Sequence, residues 1–299
     1  MSRLVAYLVA AVLLAPSAHA QRANLPVRWT PERPPPGTLL RISAAAPDSS
    51  DMLVLSGSVA GQPLHFSRSG DSLIAFAGVP PDPPDTVQLA LWVADELGAD
   101  SLSVAIPVHI EPAPRAATGE RLRVAERFSR QPDSATAARM ARESALAMGV
   151  ARRAHETPRL WEEPFVRPRA SRITSRFGTG RVFNGAVQSR HLGVDLAGAT
   201  GAPVRAANRG VVALVADFYL AGTAIYVDHG EGLVTGYFHL SKAEVAEGDT
   251  VARGAVIGRV GATGRVTGPH LHWIARYGTV TVDPLSVVRA TEGGVGDRE

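Results

Sequence analysis

Apolar and polar residues alternate with a period of two through the first third of the chain. In SLSVAIPVHI, Leu102, Val104, Ile106, Val108 and Ile110 share one face, and in TVQLALWVAD so do Val87, Leu89, Leu91 and Val93. Shorter strand candidates lie at 38–44, 52–56, 62–67 and 72–77, separated by turn-rich clusters such as PPDPPD. Several short strands at this spacing predict an immunoglobulin-like β-sandwich over 21–113. EPAPRAATG then marks a boundary, and DSATAARMARESALAMGVARRAH predicts a helix started by Asp133 or Ser134, whose side chains can accept from free first-turn amides. This helix is expected to pack between domains, with ETPRLWEEPFVRP as an extended exit, so that 114–165 form a helical linker. From 166 glycines recur among short valine-rich strands, GVVALVADF, TAIYVDHGEGLVTGYFH and AVIGRVGATG, and HGEG signals a hairpin in which Gly230 and Gly232 take positive φ. The chain therefore reads as mainly β, with a second compact antiparallel β domain over 166–290 and a tail at 291–299.

The first twenty residues break this pattern. Arg3 precedes an apolar run from Leu4 to Ala15, and Ala18-His19-Ala20 fits the small-x-small cleavage rule, so 1–20 are expected to be an export signal. The run is too short to span a membrane comfortably. The chain of 299 residues has no cysteine, which leaves no disulfide framework and suits the periplasm or secretion. Its net charge is +3 and its pI about 9.7, with Lys242 the only lysine. No dense basic run supports nucleic-acid binding. A diffuse positive surface suits an anionic polymer such as a cell wall.

Candidate chemistry is confined to the second domain. In RVTGPHLHW a strand through HLH puts His270 and His272 on one face, about 6–7 Å apart, while Leu271 and Trp273 face a core. RHLGVDL sets His191 and Asp195 four apart, a spacing that brings them to one side of a helix or a strand, with Gly193 favouring the extended form. His239 lies late in the strand of GYFHLS, and His229, beside the hairpin turn, reads as structural. Zinc favours imidazole and carboxylate in sets of about four, and catalytic sites leave one position for water. Two histidines and an aspartate would complete such a set and leave two histidines for proton transfer. There is no HExxH, so no helix-borne glutamate base is expected. Asn184 in RVFNG could orient substrate or cap a loop.

The second domain resembles the M23 metallopeptidases, the LytM/lysostaphin-like peptidoglycan endopeptidases. The matching text is ITSRFGTGR, HLGVDLAGATGAPVRAANRGVV, VDHGEGLVTGYFHLS and VAEGDTVARGAVIGRVGATGRVTGPHLHW, covering 166–288. The resemblance implies an antiparallel, barrel-sandwich-like peptidase domain in which one zinc ion is held by His191, Asp195 and His272, with His270 and His239 as the catalytic pair. It also implies peptidoglycan peptides as substrate. The sandwich lies outside it and could serve a protein partner. A non-catalytic wall-binding or amidase-activating module of the same fold is the alternative, although such modules typically lack part of the ligand set. GAPVRAANRGVV and VAEGDTVARGAVIGRVG also resemble halves of a lipoyl-type carrier, but Lys242 does not lie at a hairpin tip between them.

Overall fold

A computed structural model describes residues 26–46, 54–95, 98–109, 119–185 and 187–292. Residues 1–20, expected to be an export signal, most of the EPAPRAATG boundary and positions 293–299 of the tail lie outside the described residues. Strands β1 (Val27–Thr30), β2 (Leu39–Ala45), β3 (Val54–Val59), β4 (Gln62–Pro63), β5 (Ser67–Ser69), β6 (Ser72–Gly78), β7 (Thr86–Asp95) and β8 (Gly98–Pro107) make two four-stranded antiparallel sheets, ordered β1-β2-β6-β5 and β4-β3-β7-β8. The alternating apolar faces meet between them: Leu40, Ile42, Ala75 and Ala77 of one sheet pack with Val59, Leu89, Leu91 and Ile106 of the other. Each fully buried valine, leucine or isoleucine here contributes about 1.5–3 kcal/mol relative to exposure, which is why register is fixed by the alternation.

After β9 (Glu120–Leu122) comes α1 (Ser134–Arg153). Asp133 caps it, its side chain accepting from the Thr136 amide at 2.7 Å. The helix does not sit between the domains. Its small-residue face, Ala147, Val150 and Ala154, packs on Phe218, Tyr226, Val234 and Ile274 of the second domain's sheet. Side chains this short let the helix lie close against a flat apolar surface.

The second domain contains β10 (Ile173–Ser175), β11 (Gly180–Phe183), β12 (Val187–Arg190), β13 (Val194–Ala197), β14 (Pro203–Arg205), β15 (Gly210–Phe218), β16 (Gly222–Gly230), β17 (Leu233–Ala243), β18 (Thr250–Val251), β19 (Val256–Val260), β20 (His270–Tyr277) and β21 (Val280–Val282). The sheet runs β10-β13-β20-β17-β16-β15-β18, with β19 bridging β14 and β17. The HGEG hairpin joins β16 to β17, with positive φ at Gly230 (83°), Glu231 (50°) and Gly232 (83°). A C-terminal helix the sequence pattern did not announce, α2 (Pro284–Glu292), closes the described chain. With β21 it forms the seat of the sandwich. The Leu39 amide donates to Ser286 Oγ (2.8 Å), the Asp283 amide to the Gly37 carbonyl (2.6 Å) and the Tyr277 hydroxyl to the Pro63 carbonyl (2.6 Å). Leu39, Ile74 and Phe76 share one core with Trp161, Phe165, Tyr277 and Val287. Among the described residues no helix is long and apolar enough to cross a membrane.

Candidate metal centre

Three adjacent strands build the site. Asp195 on β13 is the direct cross-strand partner of His272 on β20, and His272 in turn of Phe238 on β17. Directly opposed residues of an antiparallel pair project to the same side. That register brings His272 Nδ1 to 2.8 Å from Asp195 Oδ1, while Leu271 and Trp273 go into the core, fully buried. His191 precedes β13 in a loop pinned by two backbone bonds, from its amide to the Thr179 carbonyl (2.9 Å) and from the Gly178 amide to its own carbonyl (2.8 Å). Its Nδ1–H donates to the Arg176 carbonyl at 2.9 Å, which leaves Nε2 as a lone pair facing inward. That Nε2 lies 3.0 Å from Asp195 Oδ1 and 2.9 Å from His272 Nδ1.

The three inward atoms thus form a triangle with sides of 2.8, 2.9 and 3.0 Å. Tetrahedral coordination at bonds of about 2.0–2.1 Å separates ligand atoms by about 3.3 Å, so the triangle fits a small divalent ion with little adjustment. Among the described residues this trio is the only cluster of its kind. The donor set points the same way, because two imidazole nitrogens and a carboxylate oxygen converging on one point are the ligands that zinc favours. Burial drives the His272 pKa down to about 4, favouring the neutral, ligating form. Burial opposes ionisation of Asp195, but its side-chain contacts with His191 and His272 outweigh it and hold the carboxyl well below the usual carboxylate range.

His270 and His239 flank the trio. His270 Nδ1–H donates to the Gly268 carbonyl (2.8 Å), and its Nε2 faces Asp195 Oδ1 at 3.6 Å. His239 Nδ1–H donates to the Thr263 carbonyl (2.9 Å), and its ring centre is 5.0 Å from that of His270 and 5.7 Å from that of His272. Its backbone is unusual. In regular alternation His239 would follow Tyr237 into the core, since Phe238 shares the side of His272. Instead His239 takes φ of 63°, at the point where β17 leaves β20 and takes up β19. This left-handed bulge turns the ring to the site. Burial, then the charges of His272 and His270, push its pKa well below the ordinary value.

Two residues that the sequence pattern did not flag complete the surroundings. Arg181 on β11 forms a very close ion pair with Asp195 Oδ2 and holds Glu120 Oε2 with Nε at 3.1 Å. Glu120 comes from β9, which pairs in parallel with β11, Glu120 opposite Arg181. A cleft of about 490 Å3 opens over the centre, walled by Glu120, Arg181, Phe183, His239, Arg265 and His270. Asn184 is turned elsewhere. Its Nδ2 donates to the Val124 carbonyl and to Ser129 Oγ (both 2.9 Å), and its Oδ1 accepts from the Val124 amide (3.0 Å). Its amide clamps the linker, which is the loop-capping role the sequence offered beside substrate orientation. His229 is wholly buried, its Nδ1 on the Arg209 carbonyl and its Nε2 on Thr235 Oγ1, both at 2.8 Å. Lys242 is exposed near the end of β17, with Glu244 3.9 Å away, and has none of the hairpin-tip setting of a carrier lysine.

The site is thus a metal-fitting His–Asp–His cradle with two further imidazoles on an antiparallel sheet. Residues 189–284 match the model of Peptidase family M23, and this part of the chain is an M23 domain. Among curated proteins, the DD-carboxypeptidase/endopeptidase Mpg of Neisseria meningitidis is 46% identical over 101 residues, 34% of this chain and 23% of that one. The peptidoglycan DD-endopeptidase ShyA of Vibrio cholerae is 46% identical over 83 residues, 28% of this chain and 19% of that one. The chain thus matches less than a quarter of the length of these relatives. A Pseudomonas aeruginosa structure assigned to peptidase M23 is 27% identical with a TM-score of 0.65, covering 86% of this chain and 96% of its own. That likeness extends beyond 189–284 into the sandwich.

Proposed function

We propose that the chain is an exported, zinc-dependent endopeptidase that hydrolyses peptide bonds in peptidoglycan stems or cross-links. The observation that carries this is the five-residue arrangement: three ligand atoms within 3.0 Å of one another, and two more imidazoles tied through Nδ1–H to backbone carbonyls. The relatives named as peptidoglycan DD-endopeptidases support the substrate, and the signal-like residues 1–20 support action in the periplasm or outside the cell. The filled set speaks against a non-catalytic wall-binding module.

In this reading His191, Asp195 and His272 hold one zinc ion. Zinc there supplies Lewis-acid polarisation of the peptide carbonyl and acidifies the attacking water. His270, with Nδ1–H committed to Gly268 and Nε2 facing the cradle, is the base that takes the water's proton and passes it to the leaving amine. His239, tied through Nδ1–H to the Thr263 carbonyl, would take a second proton from solvent and as imidazolium donate to the carbonyl oxygen, returning that proton to solvent after the amine leaves. Arg181 keeps Asp195 oriented through its outer oxygen. The sandwich over 21–113, read as immunoglobulin-like, the linker over 114–165 and the peptidase domain over 166–290 are part of the same proposal.

The test is muropeptide release from purified sacculi. The zinc-loaded protein is expected to release fragments, and a chelator to stop it. His270→Ala should lose at least 100-fold in rate while keeping its zinc, whereas His272→Ala should lose the metal. No release by zinc-loaded wild type overturns the hydrolase, and zinc loss by His270→Ala with retention by His272→Ala overturns the assignment of roles.

A further inference from the structure

Apart from the exposed Arg172, one charged group of the cleft stands without a partner: Arg265. Among the described residues its guanidinium has no hydrogen-bond or ion-pair partner, whereas Arg159, Arg181, Arg253 and Arg259 are each paired with a glutamate. The two carboxylates that wall the cleft, Asp195 and Glu120, are both committed to Arg181. Arg265 is nevertheless built in. Its amide donates to the Leu220 carbonyl at 2.8 Å, and its Cζ lies 4.1 Å above the Phe183 ring. It is half-buried and borders both depressions that flank the metal centre, the larger of about 490 Å3 and a second of about 220 Å3, each with Arg181, Phe183 and His239. A partly desolvated cation held flat on an aromatic ring and left without a counter-ion is poised to accept an anion from outside. Burial, with the charge of Arg181 behind it, already works against that lone cation.

We propose that Arg265 binds a free carboxylate of the substrate peptide close to the scissile amide, so that the enzyme selects acidic, directly cross-linked stem peptides over neutral glycine bridges. The planar fork of donors fits a carboxylate through two parallel hydrogen bonds. The clamp needs no movement of Arg181, which stays on Asp195. The inference rests on the endopeptidase reading above and adds to it the feature of the substrate that is recognised.

The experiment compares two synthetic cross-linked stem peptides that differ only at the carboxylates flanking the scissile bond, free in one and converted to primary amides in the other. Wild-type protein is expected to favour the free acid by about 10- to 100-fold in kcat/KM, mostly through KM, as befits one charge-assisted contact. Arg265→Gln should bring that ratio close to one by weakening only the free acid, with Arg265→Lys in between, and with zinc content and thermal midpoint unchanged. Equal turnover of both peptides by wild type, or an equal loss on both in Arg265→Gln, overturns the carboxylate clamp and leaves the endopeptidase standing. If neither peptide is cut, the endopeptidase reading fails. Binding of the same two peptides by fluorescence anisotropy then decides the clamp separately, equal affinities refuting it.

Discussion

Gly193 is the small residue on which the metal centre turns. It lies buried just before β13, and no left-handed backbone is involved, so any cost of a side chain is one of space. A Cβ there would stand 2.7 Å from His272 Cε1, 2.7 Å from the Trp273 carbonyl oxygen and 2.9 Å from Ile274 Cγ2. Carbon atoms pack at about 3.5–4.0 Å, so relief requires about 1 Å of extra separation. One neighbour is backbone and another is the ring of a metal ligand, so the strain falls on the spacing of β13 and β20. That spacing sets the 2.8 Å approach of Asp195 to His272. Overpacking of this kind costs about 1–3 kcal/mol of stability. A ligand displaced by about 1 Å costs about 100-fold in chemistry, and disturbed support of metal ligands about 10- to 100-fold in metal affinity. Gly193→Ala should therefore show zinc affinity lowered by that factor in competition with a chromogenic chelator, with turnover falling in step. Gly268→Ala is the control, since a Cβ there meets nothing within 4 Å. If Gly193→Ala binds zinc within twofold of wild type, or if Gly268→Ala is equally harmful, the close approach is not what holds the centre.

Two further outcomes follow from the same geometry. Arg181→Gln removes the partner of the outer Asp195 oxygen, and zinc affinity by competition should fall about 10- to 100-fold with circular dichroism unchanged; undiminished affinity would deny Arg181 its positioning role. Burial lowers the His229 pKa to about 4 against 6.5 in the unfolded chain, so between those values the unfolded state binds the extra proton. The stability is whole above pH 6.5 and drains as pH falls towards 4, by about 2 kcal/mol from pH 7 to 4.5. Denaturant unfolding of His229→Gln should show a pH dependence shallower by that amount, and parallel curves for the two proteins would refute the assignment.

How far the chain could be read in advance depended on the range of the interaction. Period-two patterning announced β7 and β8 because one side of each is buried, and Asp133 announced the start of α1 because capping is local. His191 with Asp195, and His270 with His272, were legible as candidate pairs from their spacing, but which two histidines join Asp195 came only from the resemblance to the M23 metallopeptidases. His239 was legible as a residue but not as a geometry, because alternation would send it to the core and only its φ of 63° returns it. Arg181, Glu120 and Arg265 carried no signal. Glu120 and Arg181 are 61 residues apart and meet through a short parallel pairing that leaves no periodic trace. The seat of α2 on the sandwich is likewise tertiary, made by Ser286 and Leu39 across the whole length of the chain.

The loan of β9 to β11 bears on how this protein can be dissected. A fragment trimmed to the family match at 189–284 discards Glu120, Arg181 and Phe183 together, and with them one bank of the substrate channel. Cutting at 166 keeps β11 but strips its parallel neighbour, baring a row of unsatisfied amides and carbonyls that invites self-association. Excised catalytic fragments of this chain should accordingly start upstream of Gly119.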